Sequence, residues 1–232
     1  MEELEKISTE IEESSENNTD DVVLETEGIT EEDACVDVVR SVERQKGILS
    51  YLHDLVFGLA AVLLVFMLFL RVVIVSGPSM LPTLHDGDSL ILLSNVLYGK
   101  PQYGDIVVAS KDSFKNGEPI IKRVIATEGQ FVDIDFNAGI VFVGESLDTM
   151  MPLTEDYTKT LTTRDEGMQF PLQVDEGCIF VMGDNRDLSK DSRNPEIGLI
   201  DTREVLGKAI FLILPGIDPA TRSREFSRLG GL

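Results

Sequence analysis

PIIKRVIATEGQFVDIDFNAGIVFVG, residues 119–144, is the stretch whose reading decides the fold. It holds three short runs rich in Ile, Val and Phe, at 119–127, 131–136 and 139–144, separated by TEGQ and NAG. β-Branched and aromatic residues fit a pleated surface, and Gly, Asn and Gln between such runs mark hairpin turns rather than a continuing helix. In the middle run Phe131, Asp133 and Asp135 alternate with Val132, Ile134 and Phe136, the period of two expected of a half-buried strand. Working outward, the texture repeats: SLILL at 89–93 and DIVVAS at 105–110 upstream, CIFVMG at 178–183 and VLGKAIFLIL at 205–214 downstream. HDGD, YGKPQYGD and KNGEP stand between them as turn signals. The pattern predicts a mainly antiparallel β domain over residues 76–214. Within it, 145–177 is polar and irregular and reads as a loop-rich insertion or small subdomain. Residues 215–232 read as a C-terminal tail.

Upstream of the β region lies LVFGLAAVLLVFMLFL, residues 55–70, without a single charge. With Ile48–Tyr51 before it and Val72–Val75 after it, the stretch exceeds the ~20 residues that cross a bilayer. A helix apolar all round would have little to pack against in a protein this small, so the reading is a transmembrane helix over residues 48–75. His53, Asp54 and Arg71 fall toward its ends, where interfacial water can serve them. The stretch starts too late for a secretory signal, behind an acidic lead, and is expected to be an uncleaved anchor. Arg40, Arg44 and Lys46 precede it and nothing comparable follows Arg71, so the positive-inside rule places the N-terminus in the cytoplasm and residue 76 onward outside.

Charge is distributed unevenly. The 232 residues carry 20 basic and 41 acidic side chains, a net charge of −21, and residues 1–47 alone contribute −12 of it. That acidic lead, poor in aromatic residues, cannot bury enough surface to offset ordering entropy and is expected to be a disordered cytoplasmic tail. A chain this acidic lacks the basic face that phosphate neutralisation needs, which argues against a nucleic acid as partner. Cys35 and Cys178 cannot form a disulfide framework, and two histidines, His53 and His85, with no Cys-x-x-Cys pair leave no metal signature. No metal and no cofactor is expected.

For chemistry the sequence offers SGPSMLPTL at 76–84. Gly77 and Pro78 bend the backbone ahead of Ser79, and such a turn can present a hydroxyl beside a free N–H. Taken alone, a Ser-Pro turn after a membrane span is equally a plain connector. Lys122 changes the reading, because it stands inside the apolar run 119–127 and a lysine facing a core is driven toward its neutral form. Serine with lysine as base is a known alternative to serine with histidine. Cys178 lies beside Ile179 and Phe180 and reads as a small buried hydrophobe. A third segment, MGDNRDLSKDSRNPEIGLI at 182–200, is a dense polar loop between two apolar runs, placed to pack at the mouth of the core.

These segments, in this order behind one anchor, resemble type I signal peptidases, membrane-bound Ser/Lys endopeptidases that remove signal peptides from exported proteins. The pieces that carry the resemblance are GPSMLPTL with Ser79, YGDIVV at 103–108, KRVIATEGQ with Lys122, and GDNRDLSKDSR. The resemblance implies an antiparallel β domain with a coiled, barrel-like core, Ser79 as nucleophile and Lys122 as general base. It implies that Ser189 orients the lysine, that Asp184, Asp191, Arg193 and Arg123 brace the site, and that Val75, Met80, Leu84 and Ile121 line shallow apolar pockets for alanine. Signal-peptide-bearing preproteins and the lipid bilayer would be the partners. Two departures stand out. Many members carry a serine two residues before the nucleophile as an oxyanion donor, where this chain has Gly77, so the Ser79 N–H would carry more of that load. The lysine box commonly continues as Gly-Leu-Pro-Gly-Asp, where this chain has ATEGQ at 126–130. A dedicated processing peptidase with few substrates, or an anchored β domain that binds without chemistry, are the alternative readings.

Overall fold

The computed structural model of the chain describes residues 31–111, 114–217 and 221–232. The acidic stretch before residue 31, expected to be disordered, lies outside the described residues. Helix α1 runs from Glu31 to Phe69. Its segment Ser50–Phe69, with mean hydropathy 2.3, is long and apolar enough to cross a membrane, and its side chains are unburied. The helix differs from the sequence reading at both ends. It extends back into the segment assigned to the tail, and it stops before Leu70, where strand β1, Leu70–Ile74, begins. Val72, Val73 and Ile74 are β-branched and stiff at χ1, which lowers their helix preference and suits a strand. β1 pairs antiparallel with β2, Ser89–Ser94, in the register Leu70↔Leu93 to Ile74↔Ser89.

The remaining strands follow the runs read from the sequence. They are β3 (Ile106–Ala109), β4 (Ile120–Thr127), β5 (Phe131–Asp135), β6 (Ile140–Gly144), β9 (Cys178–Met182) and β11 (Val205–Leu214). Short strands β7 (Met151–Pro152), β8 (Leu172–Gln173), β10 (Ile200–Asp201) and β12 (Gly230–Gly231) complete the set. The larger sheet has the order β1-β2-β11-β3-β4-β9-β10, with β12 on β11; the smaller has the order β7-β6-β5-β8. Every pairing is antiparallel. The fold is thus mainly β, an open half-barrel with one apolar N-terminal helix. The 145–177 stretch supplies β7 and β8, the outer strands of the smaller sheet, and is otherwise irregular.

β4 positions the site. It lies between β3 and β9, with Lys122 opposite Val107 and Arg123 opposite Ile106 and Met182. Lys122 to Ala126 are all buried, not alternately so, because apolar clusters cover both faces of this central strand. Val124 packs with Val107, Ile179 and Val205, whereas Ile125 and Ala126 pack with Val132, Phe180 and Met182. A register shift between Val124 and Ala126 marks a bulge, which re-aims the side chains around it. A third cluster, Val75, Met80, Leu84, Leu90, Leu92, Ile106, Val108, Ala209 and Leu212, anchors the loop after β1.

Candidate active site

The loop between β1 and β2 is closed at its base by two backbone hydrogen bonds, Val75 N–H to Asp88 O at 2.8 Å and Gly87 N–H to Val75 O at 2.9 Å. Gly77 adopts φ +89°, the left-handed region that glycine enters without steric cost, and its N–H donates to Asp86 Oδ1 at 2.8 Å. Pro78 follows, and the Leu81 N–H to Pro78 O bond at 3.2 Å closes a turn around Ser79. The Ser79 N–H makes no hydrogen bond among the described residues.

Lys122 reaches this turn from β4. Its Nζ lies 2.9 Å from Ser79 Oγ and 2.9 Å from Ile121 O, and the residue is 5% exposed. A hydroxyl at hydrogen-bond distance from a buried amine can pass its proton to that amine, the relation a nucleophile and its base require. Ser79 and Lys122 share the wall of a cleft of about 560 Å³ with Val73, Val75, Met80, Ile121 and Leu188. Val75, Met80 and Ile121, expected as pocket lining, stand in the wall of this cleft. Leu84 does not: the Leu84 N–H to Met80 O bond folds the segment back, and Leu84 is fully buried in the core beneath it.

The 183–193 loop grips the same turn. Asn185 N–H donates to Ser79 O at 3.0 Å and its side-chain Nδ2 to Pro78 O at 3.1 Å. Arg123 Nε and Nη2 hold Asp184 at 2.8 and 2.7 Å, and Thr83 Oγ1 donates to Asp184 Oδ2 at 2.5 Å. Arg123 also donates to Gly104 O and lies 4.1 Å over the Tyr157 ring. Asp191 and Arg193 are wholly buried against each other, with Arg193 Nε 2.8 Å from Asp191 Oδ1 and Gly183 N–H donating to Asp191 Oδ2. Burial pushes the Asp191 carboxyl up, but the Arg193 guanidinium and the Gly183 N–H outweigh it and hold it below the usual carboxylate range. These four expected bracing residues thus form two buried pairs.

Ser189 lies in the same buried loop. Its hydroxyl is buried and near enough to Asp191 to help hold that carboxyl down, but it meets the geometry of a hydrogen bond with no described partner. Lys122 Nζ also meets Ile121 O at 2.9 Å. Gly183 packs so closely that a Cβ there would overlap both Ser189 Oγ and Ser79 O. Three further residues brace the loop: Arg186, Glu155 and Thr162. Arg186 is 1% exposed and binds Glu155 through both terminal nitrogens, Thr162 Oγ1 at 2.7 Å and Gly183 O at 3.1 Å. A sequence reading could have met Arg186 in the GDNR run, but nothing local pointed to Glu155, which belongs to the irregular insertion.

Among the described residues no group of three or more His, Cys, Asp or Glu could hold a metal ion. Burial and the nearby Asp201 and Asp175 carboxylates push the Cys178 thiol up, opposite to what a thiolate nucleophile needs.

Residues 48–214 match the family described as signal peptidase, peptidase S26. The chain is 30% identical over 177 residues to signal peptidase I of Bacillus licheniformis, covering 76% of this chain and 94% of that one. It is 35% identical over 151 residues to the probable signal peptidase I-1 of Synechocystis, covering 61% and 69%. Among solved structures, a signal peptidase I from Enterococcus faecalis is 29% identical, covers 48% of this chain and 97% of that one, and superposes with a TM-score of 0.38. The family match spans more than half of the sequence, and the chain accordingly belongs to the signal peptidase family, peptidase S26, a family of serine endopeptidases.

Proposed function

We propose that this protein cleaves N-terminal signal peptides from exported preproteins, with Ser79 as nucleophile and Lys122 as general base. The observation that carries the assignment is the 2.9 Å approach of Lys122 Nζ to Ser79 Oγ in a cleft, with the lysine buried. The relatives named signal peptidase I supply the substrate class.

In the acylation step neutral Lys122 takes the Ser79 hydroxyl proton as Oγ attacks the scissile carbonyl carbon. The Ser79 N–H, unbonded among the described residues, is the donor for the developing oxyanion. Gly77 N–H is engaged by Asp86, so it does not compete for that role. Collapse of the tetrahedral intermediate breaks the C–N bond, and the Lys122 ammonium gives its proton to the leaving amine. Neutral Lys122 then deprotonates a water, whose oxygen attacks the acyl ester, and the Lys122 ammonium returns that proton to Ser79 Oγ as the ester C–O bond breaks. A free lysine has a pKa of about 10.4, so only about one in 2,500 is neutral at pH 7. The mechanism needs Lys122 neutral before attack, and burial disfavours the charged form of an amine.

Val75, Met80 and Ile121 line the cleft and suit small side chains such as alanine before the cut. The basic residues Arg40, Arg44 and Lys46 before the apolar segment favour a cytoplasmic N-terminus and a catalytic domain at the outer membrane surface. The test is cleavage of a purified preprotein with an Ala-x-Ala signal site by the detergent-solubilised full chain, beside Ser79→Ala and Lys122→Ala. A single cut after the second alanine, lost in both variants, is expected. Equal cleavage by the parent and Lys122→Ala would remove Lys122 as the base.

A further inference from the structure

Residues 215–232 fall outside the family match, which ends at 214, and the sequence reading leaves them as a tail. The structure folds the described part of this segment back onto the catalytic domain. Strand β12 pairs with β11 at Phe211↔Gly231 and Leu212↔Gly230, and Ile217 bridges to Arg224. Gly216 packs against the 86–87 turn so closely that a Cβ would overlap Asp86 O, and its N–H donates to Asp88 Oδ1 at 2.7 Å. From the returning segment Arg228 extends its guanidinium onto Asp88. Nη1 lies 3.1 Å from Oδ1, and Nη2 lies 2.7 Å from Oδ2 and 3.1 Å from Thr83 O.

Asp88 and Thr83 both belong to the loop that carries Ser79. Asp88 is fully buried, closes the loop base through its backbone bond to Val75, and accepts the His85 N–H. Burial pushes its carboxyl up; Arg228 first, then the Gly216 and His85 N–H groups, hold it below the usual range. Thr83 is held at its carbonyl by Arg228 and at its hydroxyl by Asp184, the partner of Arg123. The Ser79 turn is therefore clamped from one side by Asn185 and Asp184 and from the other by the C-terminal segment.

We propose that the 215–232 segment is a positioning element for the nucleophile: Arg228, by binding Asp88 and the Thr83 carbonyl together, fixes the Ser79 turn at its working distance from Lys122. The proposal rests on the reading of Ser79 as nucleophile. The guanidinium fork matters because it satisfies a carboxylate and a carbonyl at once, which a lysine ammonium, a point charge on a flexible stem, does less well.

The test uses the full chain in detergent micelles with the Ala-x-Ala preprotein. Parent, Ser79→Ala, Arg228→Gln, Arg228→Lys, Asp88→Asn and Arg228→Gln/Asp88→Asn are compared at a temperature well below each melting midpoint. Misplacing reacting groups by about an ångström costs on the order of 100-fold in rate, so Arg228→Gln is expected to lose about 10- to 100-fold in kcat with KM within about threefold. Arg228→Lys should recover part of the loss. The double variant should lose less than the product of the two single losses, because the pair acts as a unit. A folded Arg228→Gln with kcat within twofold of the parent overturns the proposal, even if its melting midpoint has fallen, because that is the signature of a merely structural contact. If Arg228→Gln does not fold, Arg228→Lys decides on the same kcat and KM readouts. Cleavage retained by Ser79→Ala would remove the nucleophile assignment itself, whereas a dead Ser79→Ala beside a normal Arg228→Gln removes only the positioning role.

Discussion

Replacing Glu155 with alanine leaves the Arg186 guanidinium buried without the carboxylate that both of its terminal nitrogens bind. Breaking a buried ion pair by deleting one partner costs about 3–5 kcal/mol, chiefly because the surviving charge is left in a poorly solvated site. Arg186 keeps its bonds to Thr162 Oγ1 and Gly183 O, so the loss belongs at the lower end, about 3 kcal/mol. For a domain of this size each kcal/mol moves the melting midpoint by about 2–4 °C, which predicts a fall of about 6–12 °C. Glu155→Gln retains an oxygen acceptor but no charge and should fall about half as far. Scanning calorimetry of the full chain in micelles, at one scan rate, measures all three proteins. A Glu155→Ala midpoint within 2 °C of the parent would refute the reasoning, since the pair would then carry no net stabilisation. Equal falls for the Gln and Ala variants would show that hydrogen-bonding capacity is irrelevant there.

Gly183→Ala places a methyl where Ser189 Oγ and the Ser79 carbonyl already stand, so the Asn185 grip on the turn must shift. We expect cleavage to drop by at least tenfold while far-UV circular dichroism stays unchanged, and unaltered activity would mean the turn is not set by this contact. Glu166 supplies a pH prediction. Its carboxylate is buried, 3.4 Å from Arg164 Nε and without a hydrogen bond among the described residues, and burial, then the Asp191 charge, pushes its pKa up despite Arg193 and Arg164. A carboxyl raised in the folded state contributes stability below its unfolded pKa of about 4.3 and loses it as pH rises through the folded value. Glu166→Gln, which cannot ionise, should therefore melt higher than the parent at pH 7–8, with the gap closing toward pH 4. A gap that is constant with pH would contradict it.

Much of this protein could be read locally. The strands from 89 to 144, together with β9 and β11, were visible because a run of β-branched residues bounded by turn formers specifies extended backbone without reference to distant partners. The proposed pair Ser79 and Lys122 drew attention for a related reason, since a serine on a Gly-Pro turn and a lysine inside an apolar run are each anomalous in their own neighbourhood. What escaped were decisions that needed a partner. The run RVVIV is apolar enough to prolong the membrane helix, and only β2, lying alongside it, makes it β1. Leu84 looked like pocket lining beside the catalytic turn until the chain folded it into the core. The pairs Arg186–Glu155 and Arg228–Asp88 join the 183–193 loop and the loop after β1 to an insertion and a tail that had no signal of their own. Periodicity and turn chemistry are properties of a few consecutive residues, whereas a buried charge takes whichever opposite charge the returning chain brings within reach, and that choice exists only in the folded molecule.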